Sequence, residues 1–299
     1  MTADKGATFT KTLHRTPYPA ISPSRPELSQ HGRVVLVTGS SEGIGYAIAK
    51  GFAKASAATV IMTGRRESAL TEAVNSLKRQ FPETDFVGCV TDASDENEVE
   101  RFWKKLDEDG LLVDVLVLNV SRVQTRTGSL LEFGYKEVWS DFVTNVGSKM
   151  QFADYFYHQK RRDEKRKLVM LDVSTMAIHD FDFPPRFPKY ATSKNAGTLL
   201  IQQISKDVTP DDMQVISFHP GIVFTSAAKT AGITIDDLTF DDEDLSGHFA
   251  VWAASEEARF LHGRFVWAAW DVDELSTGEI RERIENETNY LTVGVVGLS

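Results

Sequence analysis

The stretch Thr38-Gly39-Ser40-Ser41-Glu42-Gly43-Ile44-Gly45 decides how the rest of this chain is read. It follows an apolar run at 34–38 and opens a strongly helical stretch at 44–55, so its glycines fall where a strand must turn sharply into a helix. A helix N-terminus offers unpaired amides and the positive end of its dipole, and glycine lets an anion approach that backbone closely. The turn therefore reads as a pyrophosphate cradle with Gly39, Ser41, Gly43, Ile44 and Gly45 as contacts. The competing reading is a glycine turn that serves packing alone.

Outward from this turn the chain keeps one rhythm. Apolar, β-branched runs recur at 34–38, 59–63, 86–90, 113–119, 168–173, 214–219 and 264–269, and stretches of helical periodicity lie at 44–55, 67–79, 96–106, 136–158 and 188–206. The runs are continuously apolar, as in a parallel sheet covered on both faces. The expected fold is α/β: one doubly wound parallel sheet of about seven strands, helices on both faces, in a domain spanning 31–275. A Pro-, Ser- and Thr-rich arm at 1–30 is expected to be irregular, and 276–299 forms a C-terminal extension. The charged run at 160–167 reads as a solvated connection.

A net charge of -10 opposes attraction to nucleic acid or anionic lipid. The single cysteine, Cys89, rules out an internal disulfide, and no Cys/His cluster has metal-ligand spacing. No apolar run suits a signal peptide or a membrane span. A cytoplasmic, reducing location is expected, with no metal, no nucleic-acid partner and no membrane span.

Three further patterns carry chemistry. Tyr190-Ala191-Thr192-Ser193-Lys194 places a phenol and an ammonium at i and i+4 on one helix face. A free phenol has a pKa of about 10, so its proton transfer near neutrality needs roughly 3–4 kcal/mol of help, which a nearby ammonium and a nicotinium charge can supply. Val173-Ser174-Thr175 ends the fifth run and offers two hydroxyls, Ser174 and Thr175, to polarise a substrate oxygen. After the second run, Thr63-Gly64-Arg65-Arg66 presents two guanidinium groups and no carboxylate, which suits a ribose 2′-phosphate and hence NADP(H). Glu42, in the glycine turn, counts against that choice.

The Gly-x-x-x-Gly-x-Gly spacing, together with Tyr190 and Lys194, resembles the classical short-chain dehydrogenase/reductases, and the resemblance runs from about residue 32 to 275. It implies a Rossmann-like domain of seven parallel strands, a substrate lid at about 224–257, and a homodimer or homotetramer. It also implies roles. Tyr190 is general acid in carbonyl reduction or base in alcohol oxidation, and Lys194 binds the nicotinamide ribose. The catalytic hydroxyl corresponds to Thr175, with Ser174 kept as the alternative. Asn145, in Thr144-Asn145-Val146-Gly147, holds a relay water. Pro220, Gly221, Val223 and Thr225, in the segment from His219, meet the nicotinamide carboxamide or the phosphates. The turn Leu118-Asn119-Val120-Ser121 departs from the family's Asn-Asn-Ala-Gly, and loss of its glycine is expected to narrow the cofactor groove. The adenine-capping aspartate corresponds to Cys89, with Asp92 nearby, so Asn119 and Asp92 are the expected contacts on that side.

Phe181, Phe183, Phe187 and Phe224 suggest an apolar pocket for a bulky carbonyl or alcohol. The aromatic run near 264–270 and the arm resemble fungal reductases of natural-product pathways, which points to a polyketide or terpenoid intermediate. The leading reading is an NADP(H)-dependent oxidoreductase interconverting a ketone and a secondary alcohol. The alternatives are a non-redox step on the same fold (isomerase, cyclase or dehydratase) and a non-catalytic dinucleotide-binding partner protein.

Overall fold

A computed structural model describes residues 6, 8–163, 165–181, 187–230, 232 and 234–295. The apolar runs form β1 (Val34–Val37), β2 (Thr59–Gly64), β3 (Asp85–Val90), β4 (Val115–Leu118), β5 (Leu168–Val173), β6 (Met213–His219) and β7 (Phe265–Trp267). They pair in parallel in the order β3-β2-β1-β4-β5-β6-β7. Every residue of β4, β5 and β6 is buried, which is why these strands read as unbroken apolar runs. Strand order reverses between β1 and β4, and the crevice beyond the carboxyl ends at such a switch is where doubly wound sheets bind ligands. The fourth strand is shorter than the run at 113–119, because Asn119 already bonds to the glycine turn: its amide donates to the Thr38 hydroxyl at 2.9 Å.

Helices α1 (Gly43–Lys54), α2 (Glu67–Gln80), α3 (Glu96–Glu108), α4 (Leu130–Phe142), α5 (Ser148–Tyr157) and α6 (Pro188–Asp207) connect and cover the strands. The single helix expected at 136–158 is in fact α4 and α5 joined through a π-helical turn, Val143–Gly147. Its start moves upstream because Ser129 and Glu132 form a reciprocal capping box. Gly134, at φ 73°, then kinks the first turns in a way that a side chain would resist.

After β6 come α7 (Ser226–Thr230), α8 (Glu243–Ala253), α9 (Val272–Leu275) and α10 (Gly278–Asn286). Here the expected lid at 224–257 reaches too far. Leu245, Phe249 and Trp252 of α8 are buried in the core, and α8 lies so close to α1 that a Cβ on Gly51 would sit 2.6 Å from the Gly247 carbonyl oxygen. A helix packed that tightly is scaffold, so only the stretch before it is left to cover a substrate.

The arm is irregular in backbone but is not a loose tail. Ile21 and Leu28, in two short 3-10 turns, are fully buried. Leu13 bridges to Trp270, the Tyr18 hydroxyl donates to the Trp270 carbonyl at 3.0 Å, and Arg15 pairs with Asp241 at 3.0 Å. In the C-terminal extension the Val293 amide donates to Gln202 on α6 at 2.9 Å. Among the described residues no helix is long and apolar enough to cross a membrane, and no three acidic, His or Cys side chains are grouped to hold a metal ion.

Candidate active site

A groove of about 560 Å³ opens over the carboxyl ends of β1, β2, β4 and β5. Its walls carry most of the expected contacts: Gly39, Ser41, Gly43, Ile44, Gly45, Arg65, Arg66, Asp92, Asn119, Ser174, Tyr190, Lys194, Pro220 and Thr225. Asn145, Thr175, Gly221 and Val223 are not in the lining. Gly221 instead adopts φ 100° and faces Asp241, which a Cβ would meet at 2.7 Å. Asp241 accepts a hydrogen bond from the Ile222 amide at 2.8 Å, so Arg15 of the arm helps to hold the loop after β6 in place.

The glycine turn is held close to β4. The Asn119 carboxamide donates to the carbonyls of Thr38 and Gly39 at 3.0 and 2.9 Å. A Cβ on Gly45 would lie 2.6 Å from that same nitrogen and would collide with the Gly39 carbonyl. Only glycine fits there, and the free backbone at the start of α1 is thereby left facing the groove. These residues fit a dinucleotide: a bare helix N-terminus for phosphate, and a cleft long enough to run from Asp92 to Tyr190.

On the far side of the turn the two candidate positions separate. Asp92 lines the groove, with Thr91, Ala93 and Ser94, and Cys89 does not. Cys89 lies within β3, half-buried, whereas Asp92 falls beyond the strand end where a side chain can reach a ligand. Burial works against the Asp92 carboxylate, but hydrogen bonds from Ser94 and the charge of Arg65 outweigh it and hold the group below its ordinary range. Arg66 is already engaged: its guanidinium pairs with Glu42 at 2.8 Å, both side chains being more than half exposed. An exposed pair of this kind is worth about 0–1 kcal/mol, so it competes only weakly with a phosphate.

At the other end the two hydroxyls separate. Ser174 is spent on Thr198, its oxygen 2.5 Å from the threonine hydroxyl in a buried contact. The Thr175 hydroxyl is near enough to the Tyr190 phenol to pull its pKa down, against the effect of burial. A second hydroxyl, Ser121, acts on that phenol in the same direction and donates to Asn145 Oδ1 at 3.2 Å. The serine that replaces the family glycine therefore adds a polar group to the site. The sequence shows the replacement, but not that the turn aims it at Tyr190.

Tyr190 and Lys194 do share a helix face, yet they do not pair with one another here. Burial pushes the phenol up from its ordinary value, and the Asp172 carboxylate adds to this. Lys194, 1% exposed, donates to the Val173 carbonyl at 2.6 Å. Burial and then the charge of Lys149 push it down to about 7, with Asp172 opposing. The π-helical turn points Asn145 inward, where it is fully buried. Its oxygen accepts from the Arg122 amide at 2.7 Å, and its nitrogen donates to Ser193 Oγ at 2.9 Å and to the Arg122 carbonyl at 3.2 Å. That clamp ties the β4 loop to α6. A second tie is buried Lys189, beside Tyr190, which reaches Asp141 and Glu137 at 3.3 Å each, while Arg122 meets Asp141 at 3.0 Å.

Of the aromatic residues expected at the substrate, Phe181 is exposed, Phe187 is half-buried and Phe224 packs on Phe240 with centroids 5.0 Å apart; Phe183 lies outside the described residues. None of the three described ones lines the groove. His219 is buried against Trp267 and is pushed down to about 3 by burial and by His179, so it stays neutral as a packing residue.

The sheet order, the glycine cradle and the Tyr190–Lys194 helix define a class, and comparison with known proteins gives the same one. The model of the short chain dehydrogenase family matches residues 33–235. The chain is 35% identical to a short chain dehydrogenase/reductase of Claviceps purpurea (strain 20.1), over 96% of this chain and 94% of that one. It is 32% identical to the short chain dehydrogenase/reductase nsrO of Aspergillus novofumigatus (strain IBT 16806), over 96% of each. Among solved structures, a 7α-hydroxysteroid dehydrogenase complexed with NADH and 7-oxo glycochenodeoxycholic acid superposes with a TM-score of 0.71 at 20% identity, covering 85% of this chain and 97% of the other. L-sorbose reductase from Gluconobacter frateurii with NADPH and L-sorbose gives 0.70 at 22% identity, covering 81% and 96%. The chain belongs to the short-chain dehydrogenase/reductase family, a family of nicotinamide-dinucleotide oxidoreductases.

Proposed function

We propose that this protein is an NADP(H)-dependent reductase or dehydrogenase that interconverts a ketone and a secondary alcohol on a bulky, mainly apolar substrate. One observation carries the reading: Tyr190 lines the same groove as the glycine turn, with the Thr175 hydroxyl near its phenol. A bound nicotinamide supplies or accepts the hydride. Tyr190 gives the carbonyl oxygen its proton in reduction and takes it back in oxidation. Thr175 holds the same oxygen and stabilises the charge that gathers on it. Lys194 favours the tyrosinate left behind and, with Asn145 and its neighbours, fixes the geometry. The resemblance to fungal natural-product reductases supports a polyketide or terpenoid intermediate as substrate.

Arg65 supports the choice of NADP(H), since it lines the groove beside Asp92 without the partner that Arg66 has in Glu42. NADPH oxidation followed at the nicotinamide absorbance, with a panel of apolar ketones, tests the reading, and NADH is the comparison. The preference for NADPH should fall about ten- to a hundredfold in R65A, the worth of one charge-assisted hydrogen bond. An unchanged ratio of the two cofactors would remove Arg65 from the phosphate site.

A homodimer is proposed as well. Leu131, Tyr135 and Trp139 on α4 are exposed at 95%, 76% and 54%, and the rings of Tyr135, Trp139 and Phe142 stack in sequence. Sedimentation should give twice the chain mass, and W139E should return it to one chain mass; a wild-type monomer would refute the proposal.

A further inference from the structure

Beneath Lys194 lies a second buried lysine that the reaction as described does not use. Lys149, on α5, is 1% exposed, and its ammonium forms an ion pair with Asp172 of β5 at 2.5 Å, the aspartate being fully buried. Neither Lys149 Nζ nor Asp172 Oδ1 has a well-oriented hydrogen bond, although Ser217 of β6 lies 3.2 Å from the other Asp172 oxygen. On α6, Lys194 lies one turn before Gly197, and the charge of Lys149 helps to hold the Lys194 amine below its ordinary range. Gly197 makes the room: a Cβ there would sit 3.2 Å from Lys149 Nζ and would collide with the Asn145 carbonyl. Among the described residues, Lys149 thus meets the Asp172 carboxylate from β5 and acts on Lys194 of α6, while Asp172 in turn acts on Tyr190.

Charge counting in this closed space decides what the arrangement does. Two ammonium groups and one carboxylate leave a net positive charge that buried surroundings disfavour. Two like charges near one another in such surroundings repel, which favours the neutral form of one of the two lysines. Lys149 has the carboxylate, so Lys194 is the one to yield its proton. Once Tyr190 becomes a tyrosinate the count changes: two cations then face two anions, and a charged Lys194 is fully compensated. The second lysine therefore makes the charge on Lys194 depend on the state of the tyrosine.

We propose that Lys149 is a positioning residue for the reaction: seated on Asp172, it sets the protonation of Lys194 and, through it, how readily Tyr190 parts with its proton. This rests on the reading of Tyr190 as the acid in carbonyl reduction. Reduction should slow once Lys194 loses its charge, because the tyrosinate then lacks its cation. The lowered value of about 7 for Lys194 places that descending limb near neutrality.

The test is the pH profile of kcat/KM for ketone reduction in the wild type, K149M, K149R and D172N. Removing the like charge in K149M should move the limb up by about one pH unit or more, and removing the opposite charge in D172N should move it down. K149R, which keeps the charge, should leave the limb in place. A loss of packing alone has no reason to move it in opposite directions. Coincident limbs in wild type and K149M, or shifts of the same sign in K149M and D172N, would overturn the inference. Lysine-selective 15N NMR of the folded wild type tests it without turnover or mutation: the Lys194 ammonium should titrate near pH 7, and one still fully charged at about pH 9, where an ordinary lysine would be, would overturn it. A wild type that turns over no ketone sinks the reductase reading, while turnover with immobile limbs sinks this inference alone.

Discussion

Tyr190→Phe is expected to lower kcat/KM for ketone reduction by about 10²–10⁴-fold, the usual contribution of a positioned general acid, with little change in dinucleotide affinity. The reason is local. The phenol lines the groove near the hydroxyls of Thr175 and Ser121 and lies on the helix that carries Lys194. Phenylalanine keeps the ring and its packing and removes only the oxygen, so the loss should appear in kcat and not in the NADPH dissociation constant. Steady-state kinetics with a fluorescence titration of NADPH separate the two. Full activity in the variant would place the proton donor elsewhere, with Ser121 the next hydroxyl to examine.

The second large effect divides two adjacent residues. Thr175→Val removes the hydroxyl at nearly constant shape and should cost about 10²–10³-fold in kcat, as the loss of one donor to a developing oxyanion does. Ser174→Ala should leave turnover nearly intact and lower stability instead. It strands the Thr198 hydroxyl in a buried position, at a cost of about 1–3 kcal/mol. Denaturant midpoints and turnover measured on both variants check this split. The reverse pattern, a catalytic defect in S174A and a stability defect alone in T175V, would exchange the roles.

How much of this was legible in the sequence follows from the range of each interaction. Strand runs and the glycine turn depend on neighbours in sequence, and there the expected sheet and the observed one agree closely. The glycine turn is legible for the same reason, because Gly39, Gly43 and Gly45 are needed where one strand passes into one helix. Elsewhere the register was hidden. The family aspartate aligns with Cys89, which lies inside β3, whereas Asp92, three residues on and past the strand end, lines the groove. Ser174 and Thr175 are adjacent, so their sides are fixed by the alternation of β5 and by Thr198 on a helix 24 residues away. Lys149 was the least visible. In sequence it is one more charge on an amphipathic helix, and its burial depends on Asp172 and Gly197 arriving from two other elements. The lid was overextended for a related reason: the acidic residues before α8 disguise a helix whose apolar face is core.

The claim on which the rest depends is that Tyr190 stands beside the reacting ring of a dinucleotide held by the glycine turn. A crystal structure of the protein with NADPH and a ketone bound together tests it most directly. The pyrophosphate is expected against Gly43–Gly45, the adenosine end beside Arg65 and Asp92, and the nicotinamide within contact distance of Tyr190, about 3–3.5 Å from the carbonyl carbon of the ketone. A dinucleotide bound elsewhere, or a nicotinamide turned away from the Tyr190 phenol, would contradict it.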